Sequence, residues 1–420
     1  MKLVTAVLIG AGDRGRAYAN YALNNPDRLK IIGVADPSEA SRNEVMKKHG
    51  IPETMCFSTW EEVFERKKFA DAVMICTQDK IHYGPSMKSI ETGYDILLEK
   101  PIAPTREECF ALAGAAEVKG VKFAVCLVLR YSKFFMEIKK IIDSGLVGKI
   151  VSIVHNGNVG FMHYAHSFVR GNWRSSEDSS PVILQNACHD IDIIQWLIGK
   201  KCLRVSSFGS LIYFNKDNCP PGAPLRCTDN CMYDCPFDAN KWYSQDTSEI
   251  YRGWFRSAAV GCPNPSDDQV KAALETGPFG RCVFQCDNDV VDHQIVNMEF
   301  EGGATAVFSL CAFTPVISRT IKVMGTKGQI RGSMEENSID VTSFLTLKEH
   351  RIDTKTNEKS KTELVDSNKG IIDAFCEYVN GVYSCGSLPD IRTSADSHMI
   401  CFAAEESRLN NGKIVEPYAV

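Results

Sequence analysis

The chain has 420 residues, 44% of them hydrophobic and 24% charged, with a formal net charge of −5 and a pI near 6.0. That length leads us to expect two domains, and the acidic balance argues against nucleic acid or an anionic membrane as the main partner. No apolar run reaches the roughly 18–20 residues of a membrane span. The first nine residues read as a strand rather than a leader, so a cytoplasmic protein is expected. Seventeen cysteines in such a chain imply reduced thiols, metal ligands or both.

Residues 3–9 (LVTAVLI) form an apolar, β-branched run that leads into Gly10-Ala11-Gly12-Asp13-Arg14-Gly15 and a helix-compatible stretch. The next apolar run (IIGVAD) ends in Asp36, 21 residues after Gly15. Strand, glycine turn, helix and a delayed acid form the fingerprint of a dinucleotide site. The first glycine permits the tight turn, the second admits a pyrophosphate and the third lets the helix pack on the strand. Asp36 would accept hydrogen bonds from the adenosine ribose and repel a 2′-phosphate. The expected cofactor is therefore NAD, held by Gly10, Gly12, Asp13, Arg14, Gly15 and Asp36.

Further strands are expected at 30–35, 71–76, 95–99 and 122–126, with helices between them. One helix follows Thr105, a plausible N-cap. This βαβ rhythm predicts a Rossmann domain over 1–127, with 127–131 crossing into a second domain over 128–420. There a helix fits 133–144, and strand-like runs occupy 149–158, 203–214, 291–301, 304–313 and 319–325. That pattern predicts an α+β domain with a large, open-faced, mostly antiparallel sheet. A Cys-, Pro- and Asn-rich insertion interrupts it at about 215–287, and helices at 370–381 and 392–409 close the chain. The fold class is α/β overall.

Three segments carry chemistry. Residues 76–82 (CTQDKIH), with Thr77 and His82, end one predicted parallel strand. Glu99-Lys100-Pro101 ends the next, so both should meet the nicotinamide end of the cofactor. Asn186-Ala187-Cys188-His189-Asp190-Ile191-Asp192 opens a helix. Alone, a lysine before proline is ordinarily a solvated loop residue, and a His-Asp pair at a helix start is ordinarily capping chemistry. Behind a dinucleotide site the same residues acquire a role. Lys100 can polarise a substrate hydroxyl, and His189, with an ordinary pKa near 6.5, can take its proton.

With these motifs the chain resembles the glucose–fructose oxidoreductase/inositol dehydrogenase (Gfo/Idh/MocA) family. The likeness extends to 288–294 (NDVVDHQ) and 323–328 (VMGTKG) in the second domain. It implies NAD(P)-linked chemistry on sugars, inositols or glycosides, with His189 as acid/base and Lys100 as the polarising group. It also makes Lys100–Pro101 a candidate cis peptide. The chain departs from many relatives at Gln185, four residues before the histidine, where they carry Asp or Lys. That casts doubt on carrying over a specific proton relay, and Asp192, one turn on, is the alternative. Substrate contacts are expected from Lys100, Arg130, Tyr131, His163, Tyr164, Trp173, Arg174, His189 and Asp192. The competing reading for the aromatic and basic residues among these is loop and interdomain packing. A homodimer or homotetramer is expected from the resemblance.

Cys219, Cys227, Cys231 and Cys235 are spaced C-x7-C-x3-C-x3-C. A structural zinc, an iron–sulfur cluster, reduced thiols and disulfides all remain open at this point. Three functions compete: an NAD-dependent oxidoreductase acting on a ring hydroxyl; an NAD-dependent glycosidase working by transient oxidation at C3, elimination and hydration; and a non-catalytic NAD-binding sensor.

Overall fold

The computed structural model describes residues 1–244, 249–262, 264–355, 363–383 and 387–419. Six strands, β1 (Val4–Ile9), β2 (Leu29–Ala35), β3 (Cys56–Phe57), β4 (Ala72–Ile75), β5 (Asp95–Leu98) and β6 (Phe123–Val125), form one sheet in the order β3-β2-β1-β4-β5-β6. Every pairing is parallel. The chain runs outward from β1 to β3, then crosses back to β4 and continues to β6. The order therefore reverses between β1 and β4, the crevice where open α/β sheets bind ligands. Alternate residues enter two buried layers. Val7, Ile9, Val73, Ile75, Ile96 and Leu98 face one layer, and Ala6, Leu8, Ala72, Met74 and Leu97 face the other. Burial on both faces is why these strands read as unbroken apolar runs. The two-residue β3 pairs only with Val34 and Ala35, too short to leave a periodic signal.

The second sheet holds β7 (Ile150–Asn158), β8 (Cys202–Ser210), β9 (His293–Phe300), β10 (Thr305–Cys311), β11 (Ser318–Gly325), β12 (Gly328–Ser333), β13 (Ser338–Ser343) and β14 (Glu349–Asp353). Their order is β14-β13-β12-β11-β7-β10-β9-β8. Only β7 and β10 pair in parallel; the other ladders are antiparallel. The helices Lys133–Asp143, Cys188–Ile198 and Ile391–Leu409 cover one face. The other face is open, with Val154, Phe208 and Ile295 exposed. Sequence reading did not reveal β12–β14; of these, β14 (EHRID) is a polar edge strand without an apolar face. The expected 203–214 strand ends at Ser210.

Two features could not be read from local pattern. The helix Glu363–Val379 returns to the first domain, where Ile371, Ile372 and Phe375 complete the buried layer that contains Val4, Leu8 and Tyr18. The insertion folds into the helices Ala239–Trp242, Glu249–Val260 and Asp267–Thr276, the last begun by a Ser266–Gln269 capping box. It packs on residues 161–170, a short helix Phe161–Tyr164 continued by a wide π-type turn over Ala165–Arg170. Such turns are frequent at functional sites.

Candidate active site

The glycine turn has the geometry its sequence requires. Gly10 has φ +93°, and a Cβ there would lie 2.4 Å from the Cys76 carbonyl oxygen. A Cβ on Gly15 would lie 2.0 Å from the Gly10 carbonyl oxygen, so helix and turn touch as only glycine permits. At Gly12 a Cβ would meet nothing within 4 Å. Gly12 is the N-cap of the helix Asp13–Asn24 and supplies no side-chain cap, which leaves that helix N-terminus open to an anion. Asp36 follows β2, where its carboxylate accepts hydrogen bonds from the Ala11 and Ser38 backbone amides at 2.6 and 2.8 Å. The Thr77 hydroxyl is buried and has no partner within the chain. An open cradle, a fixed carboxylate and an orphaned hydroxyl fit a dinucleotide.

The other residues expected at the cofactor are divided between cradle and scaffold. Asp13 pairs with Arg16 at 2.5 Å. Arg14 turns inward and donates to Glu99 at 2.9 Å and to Tyr18. Glu99 also accepts from the Tyr18 hydroxyl at 2.7 Å and the Lys100 amide at 2.7 Å. Burial alone would raise the Glu99 pKa, but the Arg14 and Lys100 charges outweigh it and bring the carboxyl down to about 2. The His82 ring is fully buried, 2.6 Å from the Pro101 carbonyl and 3.1 Å from the Thr77 carbonyl. The ring therefore bridges the two strand-end loops, with its N–H donating to one of the two carbonyls. The Lys100–Pro101 bond is cis, and Lys100 Nζ donates to the Gln185 backbone carbonyl at 2.6 Å.

His189 sits in the first turn of the helix Cys188–Ile198. Its Nδ1 is buried without a hydrogen-bond partner. Burial first, then the charges of Lys100 and Arg319, lower its pKa to about 3. His163 feels the same cations in the same order, and its pKa falls to about 4. Lys100, Arg319, His189 and His163 thus share one electrostatic neighbourhood. Sequence reasoning missed Arg319 and Asp190. Asp190 is fully buried and accepts from Arg319 at 2.8 and 3.1 Å, with His155 Nε2 2.8 Å away. Burial would raise its pKa, but Arg319 and His155 hold the carboxyl well below the ordinary range. This network ties the helix start to β7 and β11. The HDID motif contained Asp190, but nothing in the sequence identified Arg319 as its partner 129 residues on.

Several residues expected at the substrate have partners within the chain. Arg130 and Asp192 are 5% and 1% exposed and pair with each other through two 2.7 Å bonds. Each charge is thus neutralised by the other. The Tyr164 ring is buried and stacks on Phe168 and Phe214, with its hydroxyl donating to the Val291 carbonyl at 2.6 Å. Tyr131 packs against Gly370, Trp173 packs on Phe168, and Arg174 bonds Asp287 at 2.9 Å. The metal expectation finds no support. Among the described residues no three His, Cys, Asp or Glu side chains gather as a metal would need, and none of the described cysteines is in a disulfide. The sulfurs of Cys219, Cys227, Cys231 and Cys235 do not form a ligand set. The Cys219 thiol faces the Pro220 carbonyl, and Cys235 accepts from the Phe237 amide at 3.4 Å. Arg170 is wholly buried and donates to the Cys227 sulfur at 3.5 Å, the Phe237 carbonyl at 2.7 Å and the Arg281 carbonyl at 2.8 Å. A fixed cation at the heart of the insertion does the stapling and disfavours a second cation there.

Residues 4–127 match the family model described as an oxidoreductase family, NAD-binding Rossmann fold, and residues 139–396 match its C-terminal α/β domain. The chain belongs to the Gfo/Idh/MocA oxidoreductase family. Similar family proteins include YteT of Bacillus subtilis (strain 168), which bears the name of an oxidoreductase. It is 25% identical over 343 residues, covering 78% of this chain and 76% of YteT. The 2,7-anhydro-N-acetylneuraminate hydratase of Escherichia coli (strain K12) is 26% identical over 194 residues. That match covers 46% of this chain and 49% of the hydratase, so this chain spans about half that relative's length. The structure of levoglucosan dehydrogenase with NADH and levoglucosan superposes with a TM-score of 0.72 at 17% identity, covering 99% and 100% of the two chains. At that identity the match establishes a shared fold. Among the described residues no helix is long and apolar enough to cross a membrane. The two residues the resemblance singled out are linked electrostatically: the Lys100 charge acts on His189, and Lys100 is bonded to the Gln185 carbonyl four residues before it. Beside these motif residues stand Arg319, bonded to Asp190, and His163, which lies in the field of the same cations.

Proposed function

We propose that this protein is an NAD-dependent oxidoreductase that oxidises, or in reverse reduces, a ring hydroxyl of a sugar, inositol or glycoside. The observation that carries this reading is the place of Lys100, just beyond the carboxyl end of β5, where its ammonium bonds the Gln185 carbonyl four residues before a half-buried His189 that lies in its field. NAD held on the glycine turn supplies the hydride acceptor. Lys100 donates a hydrogen bond to the substrate hydroxyl and stabilises negative charge as it develops on oxygen. His189 accepts the hydroxyl proton. With its pKa at about 3 the imidazole is always in its accepting form but is a weak base. Lys100 offsets that weakness by making the hydroxyl more acidic, while Gln185 orients the ammonium through its carbonyl.

A second reading, elimination and hydration of a glycoside or anhydro sugar, is supported by His163. That chemistry needs a proton acceptor besides His189, and His163 is a second imidazole in the same cationic field. A panel of monosaccharides, inositols, anhydro sugars and aryl glycosides, followed by NADH absorbance and product mass, separates the two. Net NADH with a ketone product supports the oxidoreductase. Hydrated product without net NADH supports elimination. No turnover of either kind across the panel would sink both and leave an NAD-binding sensor.

A further inference from the structure

Among the described residues of the insertion, Trp254 reaches the catalytic neighbourhood. Three polar side chains of the 161–170 segment are docking points for the insertion. Arg170 binds the loop carbonyls of Phe237 and Arg281. His166 lies 2.6 Å from the Tyr243 hydroxyl and stacks between Phe255, 4.1 Å away, and Phe279, 4.7 Å away. His163 meets the indole of Trp254 at 4.8 Å, with the ring planes 74° apart. Trp254 also borders His166 at 5.3 Å. The first two contacts belong to the core, since Phe255 is fully buried. Trp254 is only half-buried, and the ring it covers is one of the two imidazoles in the field of Lys100 and Arg319.

We propose that Trp254 is a positioning residue of the catalytic cleft: its indole closes the outer side of His163 and holds that ring dry beside Lys100 and Arg319. This deepens the functional reading above and rests on it for the importance of His163, though not for the contact itself. The insertion is then a wall of the active site, not a remote stapled loop. The charged groups acting on His163 are Lys100 and Arg319, with the Val159 carbonyl opposing them; from its own segment His166 faces it as well, and there the influence runs from His163 to His166. An indole face would favour an imidazolium through cation–π attraction. Burial nevertheless comes first among the influences on His163 and keeps it unprotonated, so the dominant effect of Trp254 is to exclude water. Admitting water should therefore raise the His163 pKa; losing only a cation–π contact should lower it.

The test is a pH titration of the ligand-free, full-length protein by NMR of ring-labelled histidines, with the His163 signal assigned from a His163→Gln variant. In the wild type His163 should stay unprotonated until the pH approaches 4. In Trp254→Ala its midpoint should rise by at least about one pH unit, while His189 holds its wild-type midpoint and so reports an intact cleft. Trp254→Phe should restore the wild-type value. An unmoved or lowered midpoint in Trp254→Ala overturns the proposal. Should that variant fail to fold, Trp254→Gln, which keeps bulk but brings in polarity, replaces it under the same criterion. A wild-type His163 that titrates near 6.5 also overturns it. These readouts need no substrate, so a failed activity panel and a failed role for Trp254 remain separate results.

Discussion

Lys100 Nζ donates to the main-chain carbonyl of Gln185 at 2.6 Å. The bond joins the end of β5 in the first domain to the short helix Val182–Gln185 that precedes His189. Gln185 stands out in sequence because its side chain is not acidic or basic; in the structure its backbone does the work. It fixes Lys100 and leaves two of the three ammonium hydrogens free for substrate.

Lys100→Met and His189→Ala should each lower turnover by about 100-fold or more with NAD affinity close to wild type. Isothermal titration with NAD and steady-state kinetics check both halves. Near-normal turnover in either variant removes that residue from the mechanism.

The pH profile follows from the field around His189. Its pKa is lowered to about 3 by burial and then by Lys100 and Arg319, so kcat/KM should show no acid limb near 6.5. Removing a cation raises an imidazole pKa, so any limb in residual Lys100→Met activity should move to higher pH. A wild-type limb centred at 6.5 would contradict this account.

Acid stability has a defined window. The folded-state pKa values of His163, His189 and His398 are lowered to about 4, 3 and 4, mainly by burial. Unfolded histidine titrates near 6.5, so between about pH 6.5 and 4 the unfolded chain binds more protons. Stability falls as pH falls through that range. Glu99, held at about 2, contributes stability that is present above its unfolded value and lost as pH drops below about 4.3. Denaturant midpoints measured across this range should decline with a proton uptake on unfolding that His398→Gln reduces.

Arg130 and Asp192 should behave as core residues. Arg130→Met or Asp192→Asn alone should cost about 3–5 kcal/mol, and the double variant should recover much of that loss, because either single change strands a buried polar or charged group. Chemical denaturation measures it. A surface-like loss below about 1 kcal/mol would return the pair to the list of substrate contacts.

Asp36→Asn should weaken NAD binding about tenfold and narrow discrimination against NADP, since the change removes the repulsion of a 2′-phosphate while keeping an acceptor for the Ala11 amide. Titration of both dinucleotides decides it. Wild-type preference for NADP would refute the reading of the cradle.

Local chemistry was enough to read the Rossmann domain and to single out the glycine turn, Lys100 and His189 as candidates. The glycine spacing, the unbroken apolar strands and the EKP and HDID motifs are short-range patterns, and backbone sterics alone force Gly10 and Gly15 to be glycine. What lay beyond the sequence was which distant groups would meet. The same helix carries His189, Asp190 and Asp192 with different fates. Asp190 meets Arg319 and His155, Asp192 is consumed by Arg130, and only His189 is left without a partner, because sheet and helix packing bring charges 62 and 129 residues apart to opposite sides of one turn. The cysteines of the insertion looked like a ligand set because thiols at short spacing can close on a metal. Tertiary packing instead placed the Arg170 guanidinium among them, and an insertion remote from the motifs in sequence came to rest its Trp254 on His163.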